Sequence, residues 1–532
     1  MIKYFLTTAF LFLITYYSSS QVGRNVIYSY TRDDLKIILH DSTILDCTKF
    51  IPEAQTPDEK FPVIVFLHGL GGSKEDVIPY AEDYTRYGYY TFAYSMRGQG
   101  NSTGRSNLIS SLEMKDLLHV ISYIKEENII NPERIALMGS SQGGVLALMA
   151  ACNGAGVRCI VADLSSPEFA SSWLENGCIK MSLLWSVSMD SIQVRFNPGV
   201  KKFREWIFSN QRDKYDSLLS YLPKERDFGD KIDDLNCHVL LSNAWQDKYF
   251  NADDVLKASE SIPQPFRLYF GAVQGHGSDT TGDENDYRSM STTKWLEYWL
   301  YDIPDGINDT NKFIFASSVE PVNYHHWSYI RDSSIVFPPV NTNNLRLYFH
   351  PGSRLSFEPL EREDTVSFLN DVEDKSITME EAVYREFSGG EFDKKFIKDY
   401  IYFETAPIDN DITLLGTPKV NIVYSSSANI CQFNFQIWEV TPDGGMNFVT
   451  RINYTDRKCY PHTKKEKWIR GEASSHIFKK GNRIRVYVTN LDNGPYDSFL
   501  GKNPFVLPVL KRAKNLIYTG SSQATYLEMP VR

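Results

Sequence analysis

Cysteine is scarce, with seven in 532 residues, too few for a disulfide scaffold at this length. Neither a C-x-x-C pair nor a His/Cys group with zinc spacing occurs, and His325 and His326 are adjacent, so on a strand they point to opposite faces. The sequence therefore calls for no catalytic metal and no cofactor. No run of basic residues interleaves with aromatics and the formal net charge is −10, so the electrostatic footprint of a nucleic-acid partner is missing. Beyond the N-terminus no segment reaches the ~18 uninterrupted apolar residues of a membrane span, which predicts a mature chain without one.

What is present is a large apolar reserve. Hydrophobic residues make up 42% and aromatics 14% of the chain, enough to bury a sizeable core in roughly two to four domains. The N-terminus reads as an export signal over residues 1–20. Lys3 supplies the cation, Tyr4 to Tyr17 the short apolar stretch, and Ser18, Ser19 and Ser20 the small residues of a cleavage site. The expected location is secreted or periplasmic. In such a setting Cys152 with Cys159, or Cys431 with Cys459, could bridge; the odd count leaves at least one thiol unpaired within the chain. Oligomeric state is left open.

From about residue 25 to 165, apolar strand-like runs alternate with helical patterns, the signature of an α/β sheet. Met114, Leu117, Leu118, Ile121 and Ile124 mark a one-sided helix that should pack on a sheet face. Residues 166–235 break the alternation with Trp173, Trp185, Phe203, Trp206 and Phe208 among charges, and predict an inserted helical cap whose aromatics either pack on the sheet domain or line an apolar acyl pocket. A helix over Thr292 to Tyr301 closes this unit, and Pro304 to Asp309 serves as linker. From Phe313 on, short β-type runs such as Leu345 to Phe349, Phe433 to Trp438 and Ile484 to Val488 alternate with turn residues and predict a β-sandwich. The expected division is an α/β domain at 21–308 and an all-β domain at 309–532.

The chemistry is carried by Gly139-Ser-Ser-Gln-Gly143. This G-x-S-x-G string follows the apolar run Ile135 to Met138 and precedes the breaker-free stretch Val145 to Cys152. A strand running into a helix through a glycine-flanked serine is the geometry that thrusts Oγ into the open, so Ser141 is the candidate nucleophile. An acid and a histidine must follow in that order. Asp247 ends the apolar run Val239 to Gln246, at the carboxyl end where open parallel sheets place their chemistry; Asp163, closing Ile160 to Ala162, is its rival, and Asp253 and Asp254 read as helix caps. His276, between Gly275 and Gly277, is the candidate base. His40 and His350 lie on strand-like segments, His119 on a helix, and His68 belongs to another motif. That motif, His68-Gly-Leu-Gly-Gly72 after the continuous run Phe61 to Leu67, is an oxyanion loop: the N–H groups of Leu70 and Gln142 are the candidate donors.

With these motifs the chain resembles the cocaine-esterase and Xaa-Pro dipeptidyl-peptidase group of serine hydrolases. The resemblance rests on Gly88-Tyr-Tyr90 leading to Arg97-Gly-Gln-Gly-Asn-Ser-Thr-Gly104, the elbow with its doubled glycine, Trp245-Gln-Asp247, and Trp295 to Leu300. Further along it rests on Thr413 to Pro418, Ile437 to Val440 and Tyr526 to Val531. It implies an α/β-hydrolase core, a helical cap and a galactose-binding-like jelly-roll domain, with Ser141, Asp247 and His276 as the triad. Members of the group supply a tyrosine hydroxyl to the oxyanion hole from the loop after the third strand, where this chain has no tyrosine. That departure tilts the expected activity toward a carboxylesterase or acyl hydrolase over an Xaa-Pro dipeptidyl-peptidase. A non-catalytic carbohydrate-binding or adhesion protein is the third reading. The expected partner is a small ester or peptide substrate, and Glu175 or Asp190 of the cap are the candidates for meeting a free N-terminal amine.

Overall fold

A computed structural model describes residues 26–190, 193–274, 276, 282–323, 326–372, 396–397, 399–492, 504–520 and 524–532. The expected export signal at 1–20 and His325 lie outside the described residues, as do Gly275 and Gly277 on either side of His276.

The first half is built on one sheet. Strands β1 (Tyr30–Ile38) and β2 (Ile44–Pro52) form an antiparallel hairpin, and β2 pairs antiparallel with β4 (Tyr90–Tyr94). From β4 the sheet continues in parallel through β3 (Phe61–Leu67), β5 (Ile130–Ser140), β6 (Cys159–Asp163), β7 (His238–Gln246), β8 (Phe266–Gln274) and β9 (Phe313–Asn323). Every residue of β3, β4 and β6 is buried, as unbroken apolar runs require when helices cover both faces. Helices α1 (Ile78–Arg86), α2 (Ser111–Lys125) and α3 (Gln142–Cys152) follow β3, β4 and β5 in turn. Helix α2 starts where its sequence dictates: Ser110 Oγ accepts the Leu112 N–H at 3.1 Å and Glu113 accepts the Ser110 N–H at 2.9 Å, a reciprocal cap. Helix α3 is apolar all round and wholly buried.

The segment between β6 and β7 is helical: α4 (Phe169–Ser172), α5 (Met181–Ser188), α6 (Pro198–Ser209) and α7 (Arg212–Tyr221) with short 3₁₀ turns. Its aromatics divide by position. Phe203 and Trp206 pack on each other and Trp206 on Tyr221, within the cap. Trp173 stacks edge-on against Phe169, which meets Phe250 beside His276. After β7 come α8 (Ala252–Ser259) and α9 (Gly282–Tyr301), the latter beginning ten residues before the expected Thr292.

The sheet runs on past the expected junction at residue 308. Strand β9 pairs with β8, and β10 (His326–Ser334) adds antiparallel to β9. Among the described residues from Asn343 onward the elements are all strands and predominantly antiparallel, with Cys431–Val440 flanked by Met446–Asp456 and Arg483–Thr489. This domain has its own apolar core, including Phe433, Phe435, Ile437, Val486 and Leu527.

Candidate active site

The parallel strands point their carboxyl ends to one edge, and the candidate residues sit there: His68 after β3, Ser141 after β5, Asp163 ending β6 and Asp247 after β7. Ser141 has φ +56° and ψ −123°, a conformation that costs a non-glycine residue on the order of 1–3 kcal/mol and is held only by its surroundings. Those surroundings are glycines for a steric reason. A Cβ on Gly139 would lie 2.6 Å from the Gly143 carbonyl carbon, on Gly143 2.2 Å from Leu67 O, and on Gly144 2.5 Å from Asp163 O. The elbow is therefore wedged between β3 and β6, and its serine N–H donates to Asp163 O at 3.0 Å.

Asp247 and His276 meet. The Nδ1 of His276 lies 2.8 Å from Asp247 Oδ2 and 3.0 Å from Oδ1, both side chains being buried. Asp247 Oδ1 also accepts the N–H groups of Tyr249 (2.8 Å) and Phe250 (3.2 Å), so the carboxylate is oriented by main chain. Facing a carboxylate, Nδ1 carries the ring proton, and Nε2 presents its lone pair. Nε2 is buried and hydrogen-bonded to nothing among the described residues. The rings of Tyr249 and Phe250 flank the imidazole at 4.7 and 5.4 Å; burial, with Asp247 next to it, pushes the Tyr249 hydroxyl well above its ordinary range.

The rival acid has other partners. Asp163 accepts from Ser140 Oγ at 3.0 Å and from Ser242 Oγ, and is ion-paired with the buried Arg288. It braces β5, β6, β7 and α9 beneath the elbow. Asp253 and Asp254, expected as caps, lie in the first turn of α8 and both pair with Arg470 of the all-β domain. Glu175 bonds Arg470 and Asn251, each at 2.5 Å, and Asp190 bonds Lys201 at 2.8 Å and the Phe196 N–H at 3.2 Å. Both cap carboxylates are thus engaged within the protein.

The glycine loop after β3 is fixed by buried side chains. The Nδ1 of His68 donates to Gly69 O at 2.7 Å and its Nε2 accepts the Met96 N–H at 2.9 Å, which sets the tautomer; burial lowers the pKa and keeps the ring neutral. The Gly71 N–H donates to Gln99 Oε1 at 2.7 Å, and Gly72 N–H to Gly69 O at 3.1 Å. The Leu70 amide makes no such bond among the described residues, and Gln142, as first residue of α3, has no intrahelical acceptor for its N–H. Gln99 is the residue that sequence reasoning missed. Fully buried, it also donates from Nε2 to Gln142 Oε1 at 3.2 Å, tying the glycine loop to the elbow helix. Its only sequence signal is its place in Arg97-Gly-Gln-Gly100, a loop that Arg97 pins through Asp116 (2.5 and 2.7 Å) and Asp41 (2.8 Å).

The all-β domain grips the cap and the start of α8. Around Arg470 gather Glu175, Asp253 and Asp254, while Lys180 pairs with Glu472 at 2.8 Å and bonds Asn251. Burial outweighs the nearby cations here and pushes Glu175 up to about 7 and Asp254 to about 6. Main-chain bonds join the same seam, Met181 N–H to Phe505 O at 2.9 Å and Leu507 N–H to Ile179 O at 2.8 Å.

Comparison with known proteins agrees with this architecture. Residues 41–276 match the X-Pro dipeptidyl-peptidase (S15 family), and residues 320–528 match the X-Pro dipeptidyl-peptidase C-terminal non-catalytic domain. The fold is shared with a CocE/NonD family hydrolase from Staphylococcus aureus (TM-score 0.72, 14% identity, 94% of each chain). It is shared also with an aminopeptidase from a marine sediment Thaumarchaeota archaeon (TM-score 0.68, 14% identity, 95% of this chain and 97% of that one), and with an alpha-amino acid ester hydrolase (TM-score 0.66, 14% identity, the same coverage). Among curated proteins, a 31.7 kDa protein of the traX-finO intergenic region of Escherichia coli is 33% identical over 108 residues, 20% of this chain. The match spans only 38% of that relative's length. With an elbow serine, an Asp–His pair and two domains that match in order, the chain belongs to the S15 X-Pro dipeptidyl-peptidase family of serine hydrolases.

Proposed function

We propose that this chain is an exported acyl hydrolase that cleaves esters through a covalent acyl-enzyme. Ser141 Oγ attacks the substrate carbonyl while His276 Nε2 takes its proton; the serine–carbonyl bond forms as the carbonyl π pair moves to oxygen. The Leu70 and Gln142 N–H groups receive that oxyanion, and Asp247 holds the imidazole tautomer and offsets its positive charge. His276 then protonates the leaving alcohol, and water repeats the sequence to release the acid. The observation that carries this reading is the buried Asp247–His276 pair with Nε2 left uncommitted.

Two facts favour an ester over an Xaa-Pro peptide. The glycine loop offers Leu70 where a tyrosine hydroxyl would be supplied, and both cap carboxylates that could receive a substrate's free amine are bonded to Arg470, Asn251, Lys201 or main chain. The dipeptidyl-peptidase reading is favoured by the family match itself. The purified protein assayed against p-nitrophenyl esters and Xaa-Pro anilides separates the two: kcat/KM is expected to be higher for short neutral esters, and a preference for the anilides would reverse the assignment. Export is supported by the cation, apolar stretch and serines of residues 1–20; N-terminal sequencing of the mature protein should begin near residue 21.

A further inference from the structure

Two thiols meet inside the all-β domain. Cys431 opens the strand Cys431–Val440, and Cys459 follows the end of the neighbouring strand Met446–Asp456. Their sulfurs are 3.0 Å apart, and the residues are only 1% and 7% exposed. The main chain imposes this approach. Cys431 is in register with Asp456 across the ladder, and the Cys459 N–H donates to Asn429 O at 3.1 Å. A covalent S–S length of about 2 Å is thus a short closure from the 3.0 Å approach already present. Cys152 and Cys159, the other pair considered from sequence, end α3 and begin β6 as buried free thiols. Cys178 faces Thr455 Oγ1 at 3.3 Å.

The turn that the pair would close is one of the places where the all-β domain reaches into the cap. Asp456 accepts from Tyr424 OH (2.6 Å), Lys465 Nζ (2.5 Å) and the Lys458 N–H (2.8 Å). Its neighbour Arg457 donates to Gly177 O (2.6 Å), Asn210 O (2.8 Å) and Asn210 Oδ1 (2.8 Å), and lies 4.3 Å over the Tyr215 ring. The fit is close enough that a Cβ on Gly177 would stand 2.1 Å from Thr455 O. Any looseness in the turn is passed directly to the cap helices α6 and α7.

We propose that Cys431 and Cys459 are a disulfide site whose bond locks this turn, and with it the Arg457 anchor of the cap, the co-reactant being a small-molecule or protein disulfide. The more exposed Cys459 loses its proton and attacks one sulfur of the donor RS–SR, expelling RS⁻ and leaving a mixed disulfide. Cys431 then loses its proton and attacks the Cys459 sulfur, expelling the second RS⁻. Two thiols are oxidised by two electrons, and the donor is reduced to two thiols that take up the two protons. Because both sulfurs are buried once folded, the bond forms as the turn closes during folding.

The test is to refold the full chain with oxidised and reduced glutathione, alkylate the remaining thiols in denaturant, and map the unreduced peptides by mass spectrometry. A single linked pair, residues 431 and 459, lighter by two hydrogens, is expected, with Cys47, Cys152, Cys159, Cys178 and Cys237 alkylated. Reductant should lower the melting temperature by roughly 5 °C and speed proteolysis of the cap segment 198–221. Both responses should be absent from Cys431→Ser with Cys459→Ser. Recovery of Cys431 and Cys459 in alkylated form, a link between other cysteines, or a melting temperature and cap cleavage indifferent to reductant would overturn the proposal. If the double variant fails to fold, the peptide map of the unaltered chain decides.

Discussion

The strand-end site and the seam between cap and all-β domain both bury carboxylates, yet they surround them with opposite chemistry. In the seam, Glu175, Asp253 and Asp254 converge on Arg470, and Glu472 on Lys180. At the strand ends, Asp247 meets two main-chain amides and one histidine whose far nitrogen is uncommitted. A fixed cation consumes a carboxylate's charge in holding the fold; an imidazole leaves that charge available to a proton in transit. Asp163 makes the contrast sharper because it lies on the site's own edge but is bonded like a seam residue, to Arg288 and two serines.

Removing the nucleophile gives the largest effect. Ser141→Ala should lower kcat on p-nitrophenyl esters by about 10⁶-fold, with little change in the melting curve. Next, Asp247→Asn should cost about 10⁴-fold in kcat through the wrong imidazole tautomer. Asp163→Asn, read by both assays, should instead lower stability while kcat per folded molecule stays within a few-fold. Equal activity losses in the two would erase the distinction between site and brace.

In the seam the ranking inverts. Arg470→Ala leaves buried carboxylates without their cation and should destabilise by about 3–5 kcal/mol in urea titration, with kcat per folded molecule little changed. Glu175 gives a pH signature. Its folded pKa is raised by burial to about 7 from the ordinary 4.5, so the folded state favours the protonated acid. That contribution is complete below the unfolded pKa and is lost as pH rises through the folded one. Relative to Glu175→Gln, the unaltered chain should therefore lose stability between about pH 4.5 and 7, with Asp254, Glu472, Lys180 and Arg470 as the charges facing it. Among the variants expected to lose activity through the site itself, the mildest is Gln99→Ala, which reaches the oxyanion donors through Gly71 and Gln142. It should reduce kcat about tenfold, less than loss of a direct oxyanion donor, with KM nearly unchanged.

What the sequence displayed was whatever local chemistry compels. The run Phe61 to Leu67, the one-sided pattern of Met114, Leu117, Ile121 and Ile124, and the glycines around Ser141 each answer to neighbours in sequence, and each is found as a strand, a helix and an elbow. Helix α9 began too late in the sequence reading because its first turns are polar. Glu284 is nonetheless buried there, accepting from Tyr269 OH at 2.5 Å and the Ala272 N–H at 2.9 Å. Asp253 and Asp254 looked like caps because a first-turn aspartate commonly serves a helix N-terminus, and nothing local announces an arginine more than two hundred residues away. Gln99 was hidden for the same reason. Its partners, Gly71 and Gln142, become neighbours only when β3, β4 and β5 align.

The central claim is that the pair Asp247–His276 activates Ser141, and a fluorophosphonate probe reads it directly, because the probe reacts only with a serine whose proton is being taken. Incubated with the native chain and mapped by mass spectrometry, the probe should occupy Ser141 alone, and His276→Ala should slow labelling by several orders of magnitude while the melting temperature holds. Labelling on another serine, or labelling of Ser141 at an unchanged rate without His276, would contradict the account.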